Sequence, residues 1–327
     1  MSLIMNSRLS NKFRNLGFVA AWMMVFIHVG GPAARDGAAW WFAEIVKYGF
    51  SVVAVPFFFV TSGYWLARNY QYADAVRKRV RSILVPYLLW SAIFLAFSKT
   101  LQVAANLRAH RTLMENVFVA DQIWTWFGLD LTVQPYCVPF WYLRTLFLLT
   151  LVSPVIVFAA KRLPRFWLAS LFASMFVGAP ELFCLQWAAV FYFSVGVALQ
   201  LKCPEFSIPK GLAVGAGIFG VVLAAVTAYG HYTGGAFAAY SHRLMIPCMM
   251  IAAFAAISDG AWPKWITSSS FAIYIVHTFY LCLIGITFPS WTESIPGLIA
   301  RWFIAAAGSM IFAGFAQKTR KLGTGVK

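Results

Sequence analysis

Apolar runs of about 17–25 residues return from one end of this chain of 327 residues to the other. A run of that length leaves its backbone no partner in hydrocarbon except itself, so each one has to be helical. The alternative, a soluble domain, needs far more polar surface than 11% charged against 61% hydrophobic residues supplies. The sequence is therefore read as an all-α, polytopic membrane protein. Ten transmembrane helices are expected at about 15–31, 46–66, 82–98, 140–160, 166–180, 185–201, 211–230, 242–258, 268–288 and 297–316. The whole chain, 1–327, reads as one integral-membrane domain with a short tail at about 317–327.

The formal net charge is +16, from 26 Lys and Arg against 10 Asp and Glu. Nucleic-acid binding and membrane topology both produce such an excess. Here the cations fall between the apolar runs, and with the N-terminus inside, 18 of the 26 face the cytoplasm. Both termini are thus placed in the cytoplasm, and a nucleic-acid partner is set aside. The remaining basic surface suits lipid headgroups or the phosphates of a coenzyme. Arg8, Lys12 and Arg14 followed by an apolar run resemble a signal peptide. That run continues to about Gly30 and more spans follow, so an uncleaved first helix is expected.

Five cysteines, Cys137, Cys184, Cys203, Cys248 and Cys282, show no metal-binding spacing. Buried thiols are the default reading, a Cys137–Cys184 disulfide the remote one, and no metal site is expected. The long segment from about Lys99 to Pro139 exceeds an ordinary connector and would lie outside. It reads equally as a lid over a site or as a solvated loop. Inverted repeats of the kind many transporters carry are missing from the sequence.

Little else titrates. His28 stands fourteen residues beyond Arg14, roughly 20 Å along a helix axis, in the outer half of the first span. Imidazole can take a proton from a hydroxyl near neutral pH, which suits a general base. A histidine bonded to a neighbouring helix is the bland alternative. His277 comes about nine residues into the ninth span, at a comparable depth, so the two histidines could line one cavity. Tyr274 lies one turn before His277 on the same face, as a hydrogen-bonding group or simply a packing residue.

Arg144 opens the fourth span within Pro139-Phe140-Trp141-Tyr142-Leu143-Arg144. It either snorkels to the interface or serves as a fixed cation for a carbonyl oxygen, a phosphate or a sugar hydroxyl. Ser62-Gly63 permits close helix approach. No base adjoins Ser62 or Thr61, so a serine nucleophile is not supported. The loop bearing Arg68, Arg77, Lys78, Arg79 and Arg81 is explained by topology and would also receive coenzyme phosphates.

Arg14 to His28, then PFFFVTSGYWLARN, RKRVRSILVPYLLW, PFWYLRTLFLLTLVSPV and SFAIYIVHTFY, occur in that order over residues 8 to 316. Together they resemble the membrane acyltransferase-3 family, O-acyltransferases that modify bacterial surface glycans. The resemblance implies ten helices in the bacterial inner membrane, acyl-CoA (acetyl-CoA first) as a cytoplasmic donor substrate, and no bound cofactor. It implies a glycan or lipid-linked sugar as acceptor and a catalytic role for His28. Arg144, His277 and Tyr274 would position the acceptor or the oxyanion; Arg14, Arg68, Arg77, Lys78, Arg79 and Arg81 would hold the donor. Homo-oligomerisation stays open.

One departure concerns Arg14. The family commonly has an arginine about eleven residues before the histidine, where this chain has Gly17; Arg14 is one turn earlier. Some members also append a C-terminal hydrolase-like domain that this chain lacks, so transfer is expected to finish within the membrane unit. Asp36 and Glu44 are the nearest carboxylates to His28 in sequence, and neither is assigned as its partner. The competing class is a transporter or flippase of a lipid-linked sugar; a third is a non-catalytic scaffold in which His28 would be dispensable.

Overall fold

The computed structural model describes residues 2–35, 37–110, 112, 127–128, 134–177 and 185–323. Every regular element among them is helical. The ten expected segments overlap helices, with 140–160 divided between two of them and residues 178–180 outside the described ones. Among the described residues, six helical stretches are long and apolar enough to cross a membrane: Ala38–Ala67, Tyr72–Arg108, Lys210–Thr233, Phe237–Ala256, Ser270–Thr287 and Ile295–Lys318. The pair Val138–Leu151 and Ser153–Arg162, bent by 64°, makes a seventh if taken as one span. The expected helices at 166–180 and 185–201 appear as Pro164–Ser174 and Trp187–Lys202, of 11 and 16 residues. The first helix, Ser2–Ile27, carries its cations within its own length, which dilutes its apolar character.

Proline placement explains where the helices deform. In Ala38–Ala67 a π-turn at Ile45–Phe50 and a 3-10 turn at Ser51–Val53 precede Pro56, which offers no N–H to the carbonyl four residues back. A second π-turn, Val80–Leu84, precedes Pro86 in the same way. The 64° bend falls just ahead of Pro154.

Two loop expectations are corrected. The basic segment is not a loop: Tyr72–Arg79 is α-helical and runs through the π-turn into Val85–Arg108. The external segment does not start at Lys99, because that helix continues to Arg108. No proline or glycine stops it earlier. About half of the proposed lid, residues 111, 113–126 and 129–133, lies outside the described residues, as does Cys184; Cys137 is buried.

The helices separate into two compact units, residues 1–61 with 202–327, and residues 62–201. In the first, Lys210–Thr233 pairs with Phe237–Ala256, and Ser270–Thr287 pairs with the helix from Ile295. The first helix packs on Ser270–Thr287. Val25, Phe26, Val29, Ile273, Leu281 and Leu298 form the shared core. At the basic end, Lys12 donates to the carbonyls of Phe254 and Ala255, each at 3.1 Å, capping the helix that ends at Ala256. Asn15 holds the carbonyls of Ser258 and Gly260 at 2.9 and 2.8 Å.

In the second unit, Gly63 lies against the backbone of Phe193, where a Cβ would strike the Phe193 carbonyl. This bears out the close approach expected of Ser62-Gly63. Gly63→Val should cost about 1–3 kcal/mol through overpacking. The expected result is a lower apparent Tm of the full chain in detergent, followed by circular dichroism; an unchanged Tm would mean that the contact yields.

Candidate active site

The first helix ends at Ile27, one residue before His28. Its last turn tightens, with the His28 and Val29 amides donating to Val25 and Phe26 carbonyls at 3.1 and 3.2 Å. Gly30, at φ +94°, then turns the chain away into a left-handed conformation open to glycine. His28 is therefore a half-buried side chain at a helix terminus, with the irregular segment after it.

His277 faces it from the helix Ser270–Thr287. The two imidazole centroids are 5.3 Å apart with their planes inclined at 36°. His277 is 0% exposed, and its Nδ1–H donates to the Ile273 carbonyl at 3.0 Å. That bond fixes the ring and leaves Nε2 as the second functional nitrogen, 3.4 Å from the Thr278 hydroxyl. Tyr274, buried, has its ring 6.5 Å from that of His277. The two rings adjoin, as their comparable depth in the sequence anticipated.

Lys47 and Arg301 are among the other cations of this unit. Lys47 lies in the π-turn Ile45–Phe50, which packs against the first helix. Arg301 is 8% exposed on the helix from Ile295, and its Nε is buried without a hydrogen-bond partner among the described residues. In the sequence Arg301 is recognisable as an arginine inside the tenth apolar run. Arg14 is exposed and donates to the Ser10 hydroxyl at 3.1 Å. Of the two candidate carboxylates, Asp36 lies outside the described residues. Glu44 is engaged elsewhere, its Oε2 2.9 Å from Nδ1 of His231.

In the second unit Arg144 is 8% exposed, and its Nη1 donates to the Gly128 carbonyl at 3.0 Å. Tyr87 holds the adjoining Phe127 carbonyl at 2.6 Å. Arg144 therefore anchors a turn of the long external segment, a role that neither snorkelling nor ligand binding had suggested. Arg77, Lys78 and Arg81 are exposed on their helix. Arg79 is half-buried and reaches the Ser62 carbonyl at 3.4 Å, and Arg68 lies over the Trp65 ring at 5.6 Å. Among the described residues no cluster of His, Cys, Asp and Glu could hold a metal ion.

A family model described as an acyltransferase domain matches residues 15–316, which takes in His28, Arg144 and His277 together. The chain belongs to the acyltransferase-3 family. It is also similar to the succinoglycan biosynthesis protein ExoH of Rhizobium meliloti (strain 1021), 26% identical over 187 residues. That alignment covers 56% of this chain and 50% of the relative, so the chain spans about half the length of the curated protein it matches. No solved structure matches. Family membership and the apolar helices together make this a multi-pass membrane protein.

Proposed function

We propose that this protein is a membrane O-acyltransferase that moves an acyl group, acetyl first among them, from cytoplasmic acyl-CoA to a hydroxyl of a surface glycan or lipid-linked sugar. The observation that carries the reading is the pair of histidines from two packed apolar helices with ring centroids 5.3 Å apart, in a chain of the acyltransferase-3 family. A buried imidazole at membrane depth has few structural reasons to exist and two chemical ones, proton transfer and covalent acyl capture.

In this scheme His28 takes the proton of the acceptor hydroxyl while the oxygen attacks the thioester carbonyl. The C–S bond breaks and coenzyme A leaves as the thiol. His277, locked by its bond to Ile273, orients the hydroxyl or the His28 ring. Lys47 supplies positive charge beside the developing oxyanion. Donor phosphates are assigned to the exposed Arg77, Lys78 and Arg81, with the inner membrane of a bacterium as the location. The relative's name, a succinoglycan biosynthesis protein, supports a polysaccharide as the acceptor class.

The test is release of free thiol from acetyl-CoA by the full chain in lipid, with and without added glycan. Glycan-dependent release supports a transferase; no release with any short acyl-CoA favours transport of a lipid-linked sugar. The bent helix pair ahead of Pro154 is the observation on which that second reading rests. Replacing Arg77, Lys78 and Arg81 together with Gln should raise the KM for acyl-CoA by about tenfold or more and leave kcat little changed, since each lost phosphate contact removes about 1.5–3 kcal/mol or less when solvated. An unchanged KM moves the donor site elsewhere.

A further inference from the structure

Within the unit formed by residues 1–61 and 202–327 there is a second cluster of titratable side chains, separate in its members from the histidine pair. A cavity of about 580 Å³ opens where the segment after the first helix meets the turn between Lys210–Thr233 and Phe237–Ala256. Arg35, Trp40, Glu44, Tyr48, His231 and His242 are among its lining residues. Its volume falls in the range of small-molecule sites, and polar groups make up much of its wall, unlike a lipid groove.

The polar groups are ordered against one another. Nδ1 of His231 meets Oε2 of Glu44 at 2.9 Å, so the carboxylate fixes the ring and leaves Nε2 as the free nitrogen. Tyr48 closes on His231 edge-to-face at 4.4 Å between centroids, and its ring lies 6.2 Å from His242. His242 Nε2 is buried and has no hydrogen-bond partner among the described residues. An orphaned buried nitrogen costs about 1–3 kcal/mol unless a water or ligand satisfies it. Trp40, buffered behind by Trp41 and Tyr232 at 4.9 and 5.8 Å, gives the wall an aromatic surface.

The chemistry selects a ligand class. Among the described residues no group of three metal donors converges here, and a carboxylate sharing the cavity with Arg35 disfavours a simple anion. An aromatic wall with one carboxylate and two imidazoles suits a neutral ring whose edge is hydroxylated and whose faces are C–H. Position adds to this: Tyr48 belongs to the π-turn Ile45–Phe50, which packs against the first helix, and His28 follows the end of that helix. The cavity and the histidine pair share no residue. We propose that this cavity is the acceptor subsite, binding one pyranose ring against Trp40 with its hydroxyls held by Glu44 and His242.

The proposal rests on the transferase reading for the word acceptor, and its test does not depend on turnover. Saturation-transfer difference NMR is run on the full chain in lipid nanodiscs with methyl β-D-glucopyranoside and methyl β-D-galactopyranoside as probes. Wild type should transfer saturation to the ring protons of at least one glycoside. Glu44→Gln and His242→Gln, each checked for an unchanged Tm, should weaken that binding about tenfold or more, the effect of one lost hydrogen bond of about 1.4 kcal/mol. Either variant suffices if the other does not fold. No transfer to either glycoside in wild type, or equal transfer in the variants, overturns the subsite. Glycoside binding without thiol release from acetyl-CoA sinks the transferase reading alone, whereas thiol release without glycoside binding sinks this one.

Discussion

His28→Ala should lower glycan-dependent acyl transfer by about 10²–10⁴-fold, the usual contribution of a positioned general base. Removing the imidazole leaves no proton acceptor at the end of the first helix, and the variant also loses the nucleophile if the acyl group passes through His28. The two routes separate by experiment. Brief exposure of wild type to radiolabelled acetyl-CoA without glycan, then acid quench and peptide mapping, should label His28 only if an acyl-imidazole forms. His28 is half-buried at a helix terminus, so alanine there leaves no large core cavity and the protein should fold with an unchanged Tm. Near-wild-type transfer by His28→Ala would end the catalytic assignment and leave the scaffold reading standing.

His277→Gln should lower kcat by about 10–100-fold with a much smaller effect on the KM for either substrate, as misplacing a group near the chemistry does. The ring is fully buried and locked to the Ile273 carbonyl. Glutamine keeps most of the volume and a hydrogen-bonding end but cannot put a nitrogen of the same basicity 5.3 Å from the His28 ring. Alanine would add a cavity penalty of about 2–5 kcal/mol by analogy with other large-to-small core changes, and so confound stability with chemistry. A drop in KM-governed steps with kcat intact would make His277 a binding residue. A stability loss alone would make it a packing residue.

Much of the architecture was legible because membrane insertion imposes a one-dimensional code. The ten apolar runs overlap helices, since hydrocarbon leaves the backbone no other state. Lengths were less legible. Pro56, Pro86 and Pro154 each lie just after a π-turn, a 3-10 turn or a bend, and the third helix continues ten residues past its expected end to Arg108. Continuation depends on the absence of a stop signal rather than the presence of a hydrophobic one.

The histidines illustrate the same division. Depth along a helix follows from counting residues, so His28 and His277 could be matched at one level from the sequence alone. Arg301 was equally countable, an arginine within an apolar run. Glu44 was not: its link to His231 joins residues 187 apart in the chain. Arg144 stands out in the sequence as a cation just within an apolar run, yet its bond to Gly128 depends on a turn in a segment without helical periodicity.

The sequence by itself determined the helical class, the membrane setting and the short list of ionisable groups within the apolar runs. Those follow from local composition and spacing, which act residue by residue. Only the tertiary structure decided which of these groups meet. The His28–His277 pair, the Glu44–His231 bond and the orphaned nitrogen of His242 depend on how helices turn about their axes and pack. That rotation is set by small side chains, π-turns and prolines acting at contacts far apart in the chain, where no local pattern records the outcome.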